Sequence, residues 1–227
     1  MDKNADLGSI KHSSPEQEVV VSARTKWANY FRIDTKRITI LAMMVAMNVV
    51  MMFFSKYVLG LIPIYNFLVV EVTFFTYLIM LIVTNEFYTL IIIGICSWLR
   101  IPAVNDEWVG VLSMNIIDGI AILIIAALYR LLFKALRIDN KTKKTYVAMS
   151  IALGVGTIAI AAVAVGMNVA LSLPLYNKMY GINFTGHALT VYLAVVFGFN
   201  ILKFTINSLI FMALLNVLII LNNKHMR

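Results

Sequence analysis

The residues best suited to bind a ligand lie between positions 167 and 203. Asn168 stands near the end of one long apolar run, Asn200 and Lys203 lie inside the next, and Tyr176 follows in the polar turn between them. An amide or a lysine in a segment of hydrocarbon length is costly unless it faces a protein interior or a wet cavity. The pattern therefore predicts a polar pocket between two membrane helices, near one side of the bilayer.

Other interpretations of these residues stay open at this point. Asn168 and Asn200 would also suit hydrogen bonds that only join neighbouring helices. Lys203 favours a ligand site, because a buried ammonium loses its proton or destabilises the fold unless a counter-charge lies near it. An anionic ligand would supply that charge, and so would Asp118 or Glu71, which would make Lys203 a structural partner of the carboxylate.

The composition places the chain in a membrane. Hydrophobic residues make up 61% of the 227 residues and charged residues 13%, whereas a soluble domain has about 45–50% and about 25%. The single cysteine, Cys96, provides neither a disulfide framework nor a CxxC motif. The three histidines are scattered, and the HExxH, GxSxG and Walker A motifs are absent. We therefore predict no catalytic residue, no cofactor and no metal site.

The apolar runs predict an all-α integral membrane protein, a bundle of six transmembrane helices. A span needs roughly 20 apolar residues, and the third run is short enough to be tilted or partly re-entrant. A polar loop at residues 172–188 is the longest outside the N-terminal tail. The six predicted spans are residues 38–59, 67–84, 87–99, 109–133, 146–173 and 189–221.

The basic residues predict the orientation and the domain limits. Residues 1–36 should form a cytoplasmic tail with a basic, aromatic interfacial segment, residues 37–222 the membrane domain, and residues 223–227 a cytoplasmic C-terminus. Fifteen of the 19 Lys and Arg residues then lie on one side. The positive-inside rule places that side, with both termini, in the cytoplasm of a multi-pass plasma-membrane protein. The net charge of +8 therefore reports topology in the lipid membrane, and no nucleic-acid partner is predicted.

The same orientation gathers polar groups on the outer side. Asn115 and Asp118 share a face of the fourth helix, because they are three residues apart. Asn200 and Lys203 should lie about three turns or fewer into the sixth helix. This arrangement fits capture of a small polar molecule from outside. A stand-alone or proton-coupled carrier remains an alternative, although six spans without an internal repeat are few for alternating access.

Two motifs resemble a known family. The run MNVALSLPLY at residues 167–176, followed by FNILK at residues 199–203, is similar to the end of the substrate-binding S components of energy-coupling factor (ECF) vitamin transporters. The closest similarity is to the riboflavin and pantothenate branch. Lys36 and Arg37, followed by Ala42 and Ala46, resemble the basic lead-in and first-helix AxxxA element of that family. The resemblance covers roughly residues 36 to 221.

The resemblance implies a division of labour among subunits. An S component binds a vitamin outside and then docks on a transmembrane coupling subunit driven by two cytoplasmic ATPases, without catalytic activity of its own. Ala42 and Ala46 would form the docking face, because small residues four apart let another helix approach closely. Packing within the chain is the alternative role for these alanines.

The residues of the expected pocket also bear on which vitamin is bound. Residues 65–71 lack the Asp-Ser pair usual in riboflavin S components. A pocket with lysine, arginine and amides suits a small carboxylate, because charge-assisted hydrogen bonds are about twice as strong as neutral ones. Pantothenate is therefore favoured, with riboflavin as the alternative. The candidate substrate-binding residues are Asn168, Asn200, Lys203, Tyr176, Asn115, Arg100 and Asn66, with Tyr176 and the turn at residues 60–66 closing over the pocket.

Overall fold

The computed structural model describes residues 31, 35–61, 70–101, 108–181 and 183–225. Residues 1–38 and residues 39–227 form two separate units. In the first unit the description is limited to residue 31 and the beginning of a helix. The predicted tail and most of the predicted interfacial segment therefore lie outside the described residues, and the predicted domain limits stay a prediction.

The described residues form six helices and no strand, which confirms the all-α prediction for this part of the chain. Helix α5 is continuous, but a π-helical turn at Asn168–Ser172 separates its α-helical segments, Lys141–Met167 and Leu173–Tyr180. A short 3-10 turn at Leu59–Leu61 follows the first helix. The helices are α1 Thr35–Tyr57, α2 Phe74–Val83, α3 Glu86–Trp98, α4 Trp108–Ala135, α5 Lys141–Tyr180 and α6 Gly186–His225.

Four of these helices, α1, α4, α5 and α6, are long and apolar enough to cross a membrane. Helices α2 and α3 contain 10 and 13 residues. At ~1.5 Å per residue they rise about 15 and 20 Å, less than the roughly 30 Å of a hydrocarbon core. The short third helix is thus confirmed, whereas the second predicted span is shorter than expected.

The second predicted helix was wrong at its N-terminal end. We expected helix from residue 67, but residues 70–73 are not helical and α2 begins at Phe74. Side chains of other helices satisfy this backbone. Ser55 of α1 accepts the N–H of Val72 at 3.1 Å. Asn207 of α6 donates to the carbonyl oxygen of Glu71 at 2.7 Å and accepts the N–H of Phe75 at 2.9 Å.

The predicted loop at residues 172–188 was also wrong. Helix α5 continues through it to Tyr180, and α6 begins at Gly186. Pro174 does not end the helix, because a π-helical turn with a wider backbone lies just before it. The N–H of Leu173 bonds the carbonyl oxygen five residues back, at Asn168, and a π turn of this kind makes room for a proline ring that clashes in a regular α-helix. Gly181, with φ of 69°, then ends α5 in the left-handed conformation.

The predicted fourth and fifth spans leave a basic linker at residues 134–145 between them, and in the structure this linker is shorter. We expected residues 134–145, but α4 ends at Ala135 and α5 begins at Lys141. The side chain of Asn140 caps α5 by accepting the N–H of Lys143 at 3.0 Å. Lys141, Lys143 and Lys144, which the prediction assigned to the linker, therefore lie in the first turn of α5.

The core is formed by buried side chains of α2, α3, α4, α5 and α6. Phe74 and Phe204 pack edge to face with ring centroids 4.8 Å apart, a favourable aromatic geometry. Gly156 of α5 lies against Ile125 of α4, so close that an added Cβ would come within 3.2 Å of its Cγ1 atom. Gly156 therefore lets α5 approach α4 closely, whereas the nearby Gly154 is exposed.

Candidate substrate-binding site

Four charged side chains meet in the interior of the bundle. Arg100, which follows α3, lies 3.3 Å from a carboxylate oxygen of Glu71 and 3.5 Å from one of Asp118. The second oxygen of Asp118 lies 3.2 Å from the ammonium of Lys203. All four residues are buried. Asp118 thus bridges the two cations, and the cluster contains two positive and two negative formal charges.

The guanidinium of Arg100 is also held by neutral groups. It donates to the hydroxyl of Thr73 at 3.0 Å and to that of Tyr77 at 3.2 Å. Both residues are buried on or next to α2. The non-helical residues before α2 therefore have a structural purpose, because they bring Glu71 and Thr73 to the arginine.

Lys203 lies on a polar stripe of α6. Asn200, Lys203 and Asn207 are spaced three and four residues apart, so they share one helix face, and all three are buried. Asn200 donates to the carbonyl oxygen of Val196 in its own helix at 2.8 Å. The ammonium of Lys203 also lies 5.3 Å from the ring centroid of Phe204, within the range of a cation–π contact.

Asn168 meets α6 at a different level. Its side-chain oxygen accepts the hydroxyl of Tyr192 at 2.8 Å, and its amide donates to the carbonyl oxygen of Ala164 at 2.8 Å. Tyr192 precedes Asn200 by about eight residues, a rise of roughly 12 Å. The structure therefore brings Asn200 and Lys203 onto one face but joins Asn168 to Tyr192.

The depth of these residues differs from the expectation. Because α6 begins at Gly186, Lys203 lies about 17 residues, or almost five turns, into the helix instead of about three or fewer. Because α5 continues to Tyr180, Asn168 lies about 12 residues before its end, roughly 18 Å along the helix. Both positions are more central than the sequence indicated.

The other candidate residues lie apart from the charge cluster or outside the described residues. Asn115 is half-buried on α4, one turn before Asp118. Tyr176 is half-buried near the end of α5, with its ring centroid 6.0 Å from that of Tyr180. Asn66 lies outside the described residues, so closure by its turn stays a prediction. Ala42 and Ala46 are both exposed on α1.

The cluster includes residues that the sequence did not place in a site. Glu71 was expected as a counter-ion of Lys203, and Asp118 as a counter-ion and as one of the polar groups on the outer side, whereas Thr73, Tyr77 and Asn207 were not expected at all. The spacing of Asn207, four residues after Lys203, would have revealed its position on the same face. Thr73 and Tyr77 carry no such signal, because their link to Arg100 depends on contacts between distant segments.

These features define a helical membrane protein with a buried polar centre contributed by several helices. The model of the family "ECF transporter, substrate-specific component" matches residues 36–215, and the chain belongs to this family. Neither a curated protein nor a solved structure matches it significantly. The expected resemblance is therefore confirmed for the family, and the chain is a transporter subunit of the membrane, not an enzyme.

Proposed function

We propose that this chain binds a water-soluble vitamin at the outer face of the plasma membrane and delivers it to a coupling subunit driven by two cytoplasmic ATPases. The observation that carries the proposal is the buried stripe of Asn200, Lys203 and Asn207, which meets Arg100 and Asp118 between the helices. Charged and amide groups at this depth are expensive and mark substrate sites in membrane proteins. Family membership supports the same role.

Pantothenate is the first candidate substrate. Its carboxylate would take the place of Asp118 beside Lys203, and its hydroxyl and amide groups would bond the polar side chains of α4 and α6. Such a carboxylate gains a charge-assisted hydrogen bond. It must, however, compete with a carboxylate that already lies 3.2 Å from the ammonium.

Riboflavin is the second candidate, and one observation favours it. Both cations of the cluster already have carboxylate partners, so an anionic ligand finds no surplus positive charge. A neutral vitamin rich in hydroxyl groups would bind by hydrogen bonds without displacing Asp118. Net neutrality of the cluster therefore weakens the argument from charge that favours pantothenate.

Calorimetry on the purified subunit tests both candidates with Lys203→Met. If the lysine contacts a bound carboxylate, the variant should bind pantothenate about ten- to a hundredfold more weakly, since hydrogen bonds to charged groups contribute about 1.5–3 kcal/mol. Lys178→Met, an exposed lysine at the end of α5, is the matched control and should bind as wild type. If Lys203→Met binds the vitamin with the same affinity as wild type and only its melting temperature falls, Lys203 has a purely structural role. If neither vitamin binds wild type, the proposal on the substrate is wrong.

The proposed orientation is tested by cysteine labelling at the two ends of α5. Asn140 and Asn177 are both exposed, and native Cys96 is buried, so single new cysteines give a clean signal. Asn177→Cys should react with an impermeant maleimide from outside intact cells, and Asn140→Cys only after permeabilisation. The reverse labelling pattern would place the termini outside the cell and contradict the proposal that the vitamin is bound at the outer face.

A further inference from the structure

A cavity of about 290 Å³ lies away from the charge cluster, between the last turns of α4 and α6 and the first turns of α5. The junction of α2 and α3 completes its wall. Ala126 of α4 lies about eight residues beyond Asp118, a rise of roughly 12 Å towards the other end of the bundle. The inner wall is apolar and is formed by Leu81, Ile82, Ala126, Met149, Leu215 and Leu218.

The mouth of this cavity is polar and carries a positive formal charge. Arg130 and Lys141 supply two cations and Glu86 one carboxylate, and Thr142 and Thr145 add hydroxyl groups. Glu86 forms an ion pair with Arg130. The first turn of α5 lies at the same place, so the positive end of a long helix dipole adds to the field of Lys141.

An apolar wall behind a cationic mouth fits a ligand with an anionic head and a hydrocarbon tail. A soluble anion would leave the inner wall without an apolar partner, and a neutral hydrocarbon would leave the charge of Lys141 unbalanced, because Glu86 is paired with Arg130. Basic pockets between membrane helices on the cytoplasmic side bind anionic lipid headgroups. This end of the bundle also holds the basic residues that predict the cytoplasmic side, including Lys134 and Lys144.

We propose that this cavity binds an anionic phospholipid, with the phosphate at Lys141 and Thr142 and the first part of an acyl chain against Ala126 and Met149. The site is separate from the proposed vitamin site. Glu86 limits its affinity, because the carboxylate occupies Arg130 and would repel the phosphate. Removing that carboxylate should therefore strengthen the binding of lipid, a result that loss of folding does not produce.

Native mass spectrometry of the purified chain, released from nanodiscs that mix phosphatidylglycerol and phosphatidylcholine, measures this preference. Wild type should retain phosphatidylglycerol selectively. Lys141→Gln should weaken retention about fivefold, whereas Lys143→Gln, an exposed lysine of the same turn that does not line the cavity, should match wild type. Glu86→Gln should retain more phosphatidylglycerol than wild type.

Several outcomes would overturn the proposal. If wild type retains the two lipids equally, the cavity does not select an anionic headgroup. If Lys141→Gln and Lys143→Gln weaken retention equally, the effect comes from general surface charge and not from the cavity. A further binding measurement uses inorganic phosphate in place of the lipid. If delipidated protein binds phosphate in a manner that depends on Lys141, while Ala126→Phe leaves the retention of phosphatidylglycerol unchanged, the site takes a free anion and no lipid tail. If Ala126→Phe fails to fold, reduced or unchanged retention by Glu86→Gln contradicts the proposal by itself.

Discussion

Replacing Asp118 by asparagine is expected to destabilise the protein by about 3–5 kcal/mol, the usual cost of removing one partner from a buried ion pair. Asp118 lies between Arg100 and Lys203, at 3.5 and 3.2 Å. Without its charge the cluster holds two cations and one carboxylate. Glu71 remains 3.3 Å from Arg100, so the buried ammonium of Lys203 loses its carboxylate partner.

The double variant Asp118→Asn with Lys203→Met should recover most of that loss. It keeps the pair of Arg100 and Glu71 and restores a formal charge of zero. A buried ion pair replaced by uncharged groups of similar volume is often close to neutral in stability. Lys203→Met alone should cost less than Asp118→Asn, because Asp118 still contacts Arg100.

The measurement is the free energy of unfolding of the purified subunit in mixed detergent micelles, for the two single variants and the double variant. Asp139→Asn and Lys178→Met are the controls, since both residues are exposed and surface charges contribute little. If the costs of the two single variants simply add in the double variant, Asp118 and Lys203 are not coupled, and the charge cluster does not hold the helices together.

The helices were largely predictable because the signal that defines them is local. Long apolar runs are visible in any window of the sequence, and the ends of α1, α3 and α4 lie within about three residues of the prediction. The start of α2 was not predictable in this way. Its non-helical backbone depends on Asn207, which is 132 residues away from Phe75. The continuation of α5 depends on a π turn before Pro174, whereas a proline followed by polar residues normally indicates a loop.

The candidate site was predictable only in part, for the same reason. The stripe of Asn200 and Lys203 follows from helical spacing alone. The pairing of charges does not, because Glu71 and Asp118 were equally available to Lys203 before the helices were placed. The structure pairs Glu71 with Arg100 and places Asp118 between Arg100 and Lys203. Asn168 was grouped with Lys203 because the fifth helix was expected to end soon after it, and that end was wrong.

Among the described residues, helix α1 has the most exposed apolar face of the four long helices. Only 17% of its most apolar window is buried, compared with 44% for α4 and 50% for α5. Ala42 and Ala46 lie on it next to exposed Met43 and Val50. Small residues there allow a second helix to approach closely. We therefore propose this face as the docking surface for the coupling subunit, in addition to the proposed vitamin site.

Tryptophan at either alanine should abolish vitamin uptake while leaving vitamin binding to the purified subunit intact. Overpacking a close contact typically costs about 1–3 kcal/mol, which is roughly a five- to hundredfold loss of docking affinity. Uptake by proteoliposomes that contain all subunits, and calorimetry on the isolated chain, measure the two effects separately. Ala162→Trp is the matched control, because Ala162 is an exposed alanine of α5.

The control is needed because a tryptophan on a lipid-facing helix can disturb membrane insertion. Helix α5 packs on α4 and α6, so Ala162→Trp tests that general effect without altering the face around Ala42.

If Ala162→Trp lowers uptake as much as Ala46→Trp, the loss is not specific to docking. If both α1 variants transport at the wild-type rate, the docking surface lies elsewhere. If the purified chain alone accumulates the vitamin in liposomes under a proton gradient, it is a self-sufficient carrier. Loss of uptake in the α1 variants, with binding retained, is the combination that only a docking face on α1 produces.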